Sequence, residues 1–83
     1  MAITGKHVAA ARALLGMSQE ELAAATGIAA HTILRFETEK NVPRQLTRES
    51  LQRVLEDRGI EFSNGGEPGV KLIPSKAKTT QVR

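Results

Sequence analysis

Cysteine is absent from this chain of 83 residues. Disulfides and cysteine-based zinc sites are therefore excluded as supports for the fold. About sixty residues carry ordered patterning, near the size where one hydrophobic core is marginal alone. Oligomerisation is the remaining common source of stability. No hydrophobic run is long enough to span a bilayer, and the N-terminus carries no signal-peptide pattern. A soluble, cytoplasmic protein is expected, without a membrane partner. Two scattered histidines, with Glu20, Glu21, Glu49, Glu56 and Asp57 at no metal-ligand spacing, predict no metal site. No nucleophile has a plausible base, and Gly65-Gly66 lacks the strand and helix that a phosphate-cradling loop requires. Neither catalysis nor a cofactor nor a small-molecule ligand is expected.

The net charge of +3 points toward an anionic partner, but its distribution weakens that reading. Residues 1–74 hold nine Lys plus Arg against nine Asp plus Glu, and the excess comes from Lys76, Lys78 and Arg83.

What is present is concentrated in residues 18–37, SQEELAAATGIAAHTILRFE. Ser18 is a good N-cap, and Glu21 three residues later completes a capping box that satisfies two backbone donors reciprocally. Strong helix formers follow, with Leu22 and Ala23 facing inward. Gly27 supplies the permissive backbone of a tight turn. Ile28 drops into the core, and a second helix starts at about Ala29. Two short helices across such a turn form the unit that places a helix in the DNA major groove.

The flanks complete a helical domain. Thr4 caps a first helix running to about Leu15, with Val8, Ala11 and Leu15 inward, and Gly16 ends it. His7 is expected to be an exposed residue of that helix. On the third helix Ala29, Ile33 and Phe36 share one side of a 3.6-residue wheel, and His31, Arg35 and Thr38 lie opposite. Residues 39–44 form a loop, and Thr47 is expected to cap a fourth helix over 48–58, with Leu51, Val54 and Leu55 apolar and Gly59 as its stop. The period then shortens to two: residues 60–63 and 70–72 read as strands around the turn-rich segment 64–69. An isolated hairpin is rarely stable in water. Ile60, Phe62, Val70 and Leu72 are therefore expected to dimerise the protein by strand pairing, with packing within one chain as the alternative. Residues 75–83 read as a disordered basic tail. The expected organisation is a DNA-binding domain over 1–58, a β extension over 59–74 and the tail.

The run Ser18-Gln19-Glu20-Glu21-Leu22-Ala23, then Gly27-Ile28, Thr32-Ile33 and Phe36-Glu37, resembles the lambda-repressor-like, Cro/C1-type (XRE) helix-turn-helix regulators. The resemblance covers roughly residues 4–58. It implies a mainly α, compact four-helix fold, here with a short C-terminal β-hairpin, and sequence-specific binding to a double-stranded DNA operator. Base readers carried over by this resemblance are Ala29, Ala30, His31, Leu34 and Arg35. Arg35 can donate a bidentate pair to guanine, and the alanines and Leu34 can touch thymine methyl groups. Gln19, Thr32, Thr38, Lys40, Asn41 and Arg44 are the implied phosphate contacts. Arg12 and Glu37 are implied to pair between the first and third helices. Ala29 and Ala30 depart from the family, which often carries Ser, Thr or Gln there.

A homodimeric repressor on a palindromic operator is the expected function, acting by promoter occlusion, with its own gene as a candidate target; activation by touching RNA polymerase is the other mode. The alternative class is a protein-interaction module, an antitoxin or antiactivator that masks a partner protein.

Overall fold

Thr4 is extended, at φ −106° and ψ 170°, and caps α1, Gly5–Leu15. The computed structural model describes residues 3–63 and 69–77. The third residue of the α1 capping box is His7. Its backbone N–H donates to the Thr4 hydroxyl, and the Thr4 N–H donates to His7 Nδ1 at 3.0 Å. An accepting Nδ1 leaves the ring proton on Nε2, which lies 3.4 Å from the Ser63 carbonyl oxygen. His7 is only 5% exposed and meets the Phe62 ring edge-on at 5.7 Å, contrary to the exposed position expected from the sequence. Helical spacing could not reveal this, because the cover comes from a strand 56 positions away. At the other end of α1, the Gly16 and Met17 N–H groups donate to Ala13 and Arg12 carbonyls in a Schellman closure.

Helix α3, Ala30–Glu37, packs on α1, helix α2, Gln19–Thr26, packs on α3, and α4, Gln45–Asp57, closes the bundle against α1 and α2. The start of α4 differs from the sequence reading. Arg44 is the N-cap, without a side-chain cap bond, and Thr47 lies within the first turn. Arg48 stabilises this earlier start by donating from Nη1 to the Pro43 carbonyl oxygen at 2.7 Å. The core joins Ile3, Val8, Ala11, Leu22, Ile33, Phe36, Leu51, Leu55 and Ile60. Each helix contributes its inward stripe, so burial of apolar surface holds the four together.

Strands β1, Ile60–Ser63, and β2, Gly69–Leu72, pair antiparallel within the chain, with Ile60 opposite Leu72 and Phe62 opposite Val70. β2 packs on α1, and β1 packs on α4. Ile60 is 4% exposed and belongs to the chain's own core, while Phe62, Val70 and Leu72 are partly buried against that core. The hairpin thus escapes the marginal stability of an isolated strand pair by covering the helices. The connecting residues 64–68 lie outside the described residues.

Residues 75–77, expected to be disordered, are instead ordered. Pro74–Lys76 form a 3₁₀ turn, and the Ala77 N–H donates to the Pro74 carbonyl oxygen. Lys76 Nζ lies 3.1 Å from the Glu61 carboxylate, so a charge pair across the hairpin's outer face anchors the turn. Residues 78–83 of the expected tail lie outside the described residues.

Lys76, by hydrogen bond and charge, and Lys71 more weakly, hold the Glu61 carboxyl below its ordinary range. A lowered folded value means that the pairing contributes stability above the unfolded carboxylate pKa and loses it as pH falls through the folded one. Residue-specific NMR titration should find Glu61 ionising below the ordinary carboxylate range, and Lys76→Ala should raise its midpoint. An unchanged midpoint in that variant would refute the assignment.

Candidate nucleic-acid interface

The turn between α2 and α3 is built locally. The Ser18 hydroxyl accepts from the Glu21 N–H at 2.9 Å, and the Glu21 carboxylate accepts from the Ser18 N–H at 2.7 Å. Gly27 closes α2 in the left-handed region, φ 76° and ψ 11°, where a side chain would be strained. Thr26 supports the turn in a way that its sequence position did not suggest. Its hydroxyl donates to the Leu22 carbonyl at 2.8 Å and accepts from the Ile28 N–H at 3.2 Å.

Ile33 and Phe36 direct α3 into the core, at 0% and 4% exposure. Ala29 does not join them as the helical wheel suggested. It is the N-cap of α3, with extended ψ of 139°, and is exposed. The wheel fails there because the residue precedes the first helical turn. His31, Leu34, Arg35 and Thr38 lie on the exposed face, while Ala30 and Thr32 are half-buried. Thr38 caps the helix C-terminus, its hydroxyl donating to the Leu34 carbonyl at 2.8 Å. Lys40, Asn41 and Arg44 follow on the exposed loop and at the start of α4. Among the described residues, the side chains of His31, Arg35, Lys40 and Arg44 make no ion pair or hydrogen bond, so these groups remain available at the surface.

A charged cluster beneath this face connects three helices. Arg12 Nε and Nη2 each donate to a Glu37 carboxylate oxygen at 2.7 Å, and Arg12 Nη1 donates to the Met17 carbonyl oxygen at 2.9 Å. Gln19 Nε2 donates to Glu37 Oε1 at 2.9 Å. Gln19, expected to reach phosphate, thus has its amide turned onto Glu37. The Glu37 side chain is 5% exposed and that of Arg12 20%. The hydrogen bond to Glu37 raises the Arg12 pKa above its ordinary value, against the opposing effect of burial.

The residues expected to dimerise the protein are largely committed to its own core. Among the described residues, the most exposed large apolar side chains are Val42 and Leu46, at 70% and 68%. They had no signal in the helical periodicity, since one lies in a loop and the other in the first turn of α4. Among the described residues, no group of three or more His, Cys, Asp and Glu could hold a metal ion, and no helix is long and apolar enough to cross a membrane.

A capped α2, a left-handed glycine turn, and an α3 whose inner stripe is buried while its outer face carries exposed His31, Leu34 and Arg35 define a helix-turn-helix DNA-binding unit. The helix-turn-helix sequence profile matches residues 8–56, and the chain belongs to this family, of the Cro/C1 (XRE) type. It is accordingly a DNA-binding transcription regulator. No curated protein matches the chain.

Proposed function

We propose that the protein is a sequence-specific, homodimeric repressor that inserts α3 of each protomer into successive major grooves of a palindromic operator, about 34 Å apart. The observation that carries this reading is the exposed, unpartnered Arg35 beside His31 on the outer face of α3. Arg35 contacts guanine, and His31 contacts a neighbouring base or phosphate. Thr32, Thr38, Lys40, Asn41 and Arg44 hold the phosphate backbone, where their polar and cationic groups favour binding. Gln19 contributes through the α2 N-terminus and by holding Glu37. The Arg12–Glu37 pair fixes the angle of α3 against α1. Occlusion of a promoter gives repression, including of the protein's own gene, and the protein acts in the cytoplasm on the nucleoid. A second copy of the chain is required for two half-sites. The hairpin edge and the Val42–Leu46 surface are the candidate contacts, with Phe62, Val70 and Leu72 contributing at the hairpin and Ile60 acting from the core.

An anisotropy titration against the DNA upstream of its own gene, with scrambled competitor at physiological salt, tests the reading. Tight binding of two chains per site is expected. Arg35→Ala should weaken it about 5- to 150-fold, equivalent to about 1–3 kcal/mol, without changing thermal stability. Binding that is weak, salt-labile and unaffected by Arg35→Ala would refute it. The exposed Val42 and Leu46 favour, in that event, the second reading: an interaction module that masks a partner protein.

A further inference from the structure

The exposed face of α3 is two parallel rows of different chemistry. Residues four apart on a helix lie one above the other. The half-buried Ala30 and the exposed Leu34 therefore form one row, and the exposed His31 and Arg35 form the next. Leu34 is 41% exposed, and the His31 and Arg35 side chains are exposed beside it. At the head of the apolar row, Ala29 and Ala30 carry only methyl groups, and no side chain caps the helix N-terminus. Nothing there holds the helix away from a surface pressed against it.

A leucine in the major groove has one favourable partner, the thymine methyl group, because the other groups on the base edges are hydrogen-bond donors or acceptors. Against adenine, guanine or cytosine it would cover a polar edge that it cannot pair, leaving a desolvated group unmet. Four residues rise about 6 Å along the helix axis, close to two base steps of about 3.4 Å. Resting on the DNA-binding reading above, we infer that each half-site presents thymine methyl groups one or two base steps apart to Ala30 and Leu34. These lie beside the guanine that meets Arg35. The polar row selects by hydrogen bonding, and the apolar row selects by methyl contact and by rejecting bare polar edges.

The full chain should be used to select its site from randomised duplexes. Affinity is then measured on the selected site with each thymine replaced in turn by deoxyuridine, which removes the methyl group and leaves the pairing edge intact. Because this change is made in the DNA, the protein fold is untouched. One or two thymines per half-site should be methyl-sensitive, each losing about four-fold in affinity. Leu34→Ala should abolish the penalty at one of them while preserving the preference for guanine, and Arg35→Ala should do the reverse. Tight selection with no methyl-sensitive thymine, or with every penalty persisting in Leu34→Ala, would overturn this inference and leave DNA recognition standing. Failure to enrich any sequence would overturn both, and would assign the exposed leucine to a protein partner.

Discussion

Replacing Gly5 with alanine is expected to lower the stability of the domain by about 3 kcal/mol, the upper part of the usual range for overpacking. Intrinsic helix preference predicts the opposite sign, since alanine exceeds glycine by about 1 kcal/mol within a helix. Tertiary contact decides it. A Cβ on Gly5 would lie 1.9 Å from the Phe36 carbonyl oxygen, 2.7 Å from the Phe36 carbonyl carbon and 3.0 Å from Glu37 Cα. These are backbone atoms, so no rotamer change relieves the clash. The N-terminus of α1 must move away from the C-terminus of α3, where Phe36 fills the core and Glu37 holds Arg12. For a domain of this size the loss corresponds to a fall in Tm of more than about 10 °C. Lys6→Ala, at an exposed neighbour in the same turn, should change stability by no more than about 0.5 kcal/mol. Urea denaturation of the two variants measures the contrast, and a Gly5→Ala protein as stable as the parent would show that α1 and α3 do not approach so closely.

Glu37→Ala should cost about 2–3 kcal/mol in stability and more in DNA affinity than that loss alone explains. The substitution strands the Arg12 guanidinium and the Gln19 amide, which both donate to this carboxylate. Breaking a buried pair costs about 3–5 kcal/mol. The smaller figure applies because the Arg12 side chain is 20% exposed and keeps its bond to the Met17 carbonyl. Removing Arg12 as well, in Arg12→Met with Glu37→Leu, should recover much of the stability, since the stranded charge disappears. A double-mutant cycle should give a coupling above about 1 kcal/mol. Strict additivity would reduce the pair to a surface ornament. DNA affinity of the folded double variant reports the separate role of the pair, because apolar replacements restore packing without the bidentate hydrogen bonds that join α1 to α3.

The local signals in the chain translated faithfully where hydrogen bonds span only a few residues. Thr4 and Ser18 started their helices and Gly16 and Gly27 ended them as read, and the alternation after Gly59 became a strand pair. The errors cluster where the deciding contact is distant or the cap is atypical. Thr47 looked like a cap, but Arg48 reaching back to Pro43 starts α4 at Gln45. Ala29 counted as inward on the wheel because a wheel assumes that the helix has already begun. Of the candidate site, the exposed α3 face was legible from the spacing of Ile33 and Phe36, whereas the turning of Gln19 onto Glu37 was not.

The sequence by itself determined four helices, the helix-turn-helix unit and the residues on its outer face, because capping and 3.6-residue periodicity act within a few turns of the chain. Tertiary structure alone decided that His7 is buried under Phe62, that Gly5 must lack a side chain, and that the hairpin folds back on α1 and α4. Each of these depends on atoms brought together from positions far apart in the chain, and no local pattern encodes which distant backbone will arrive.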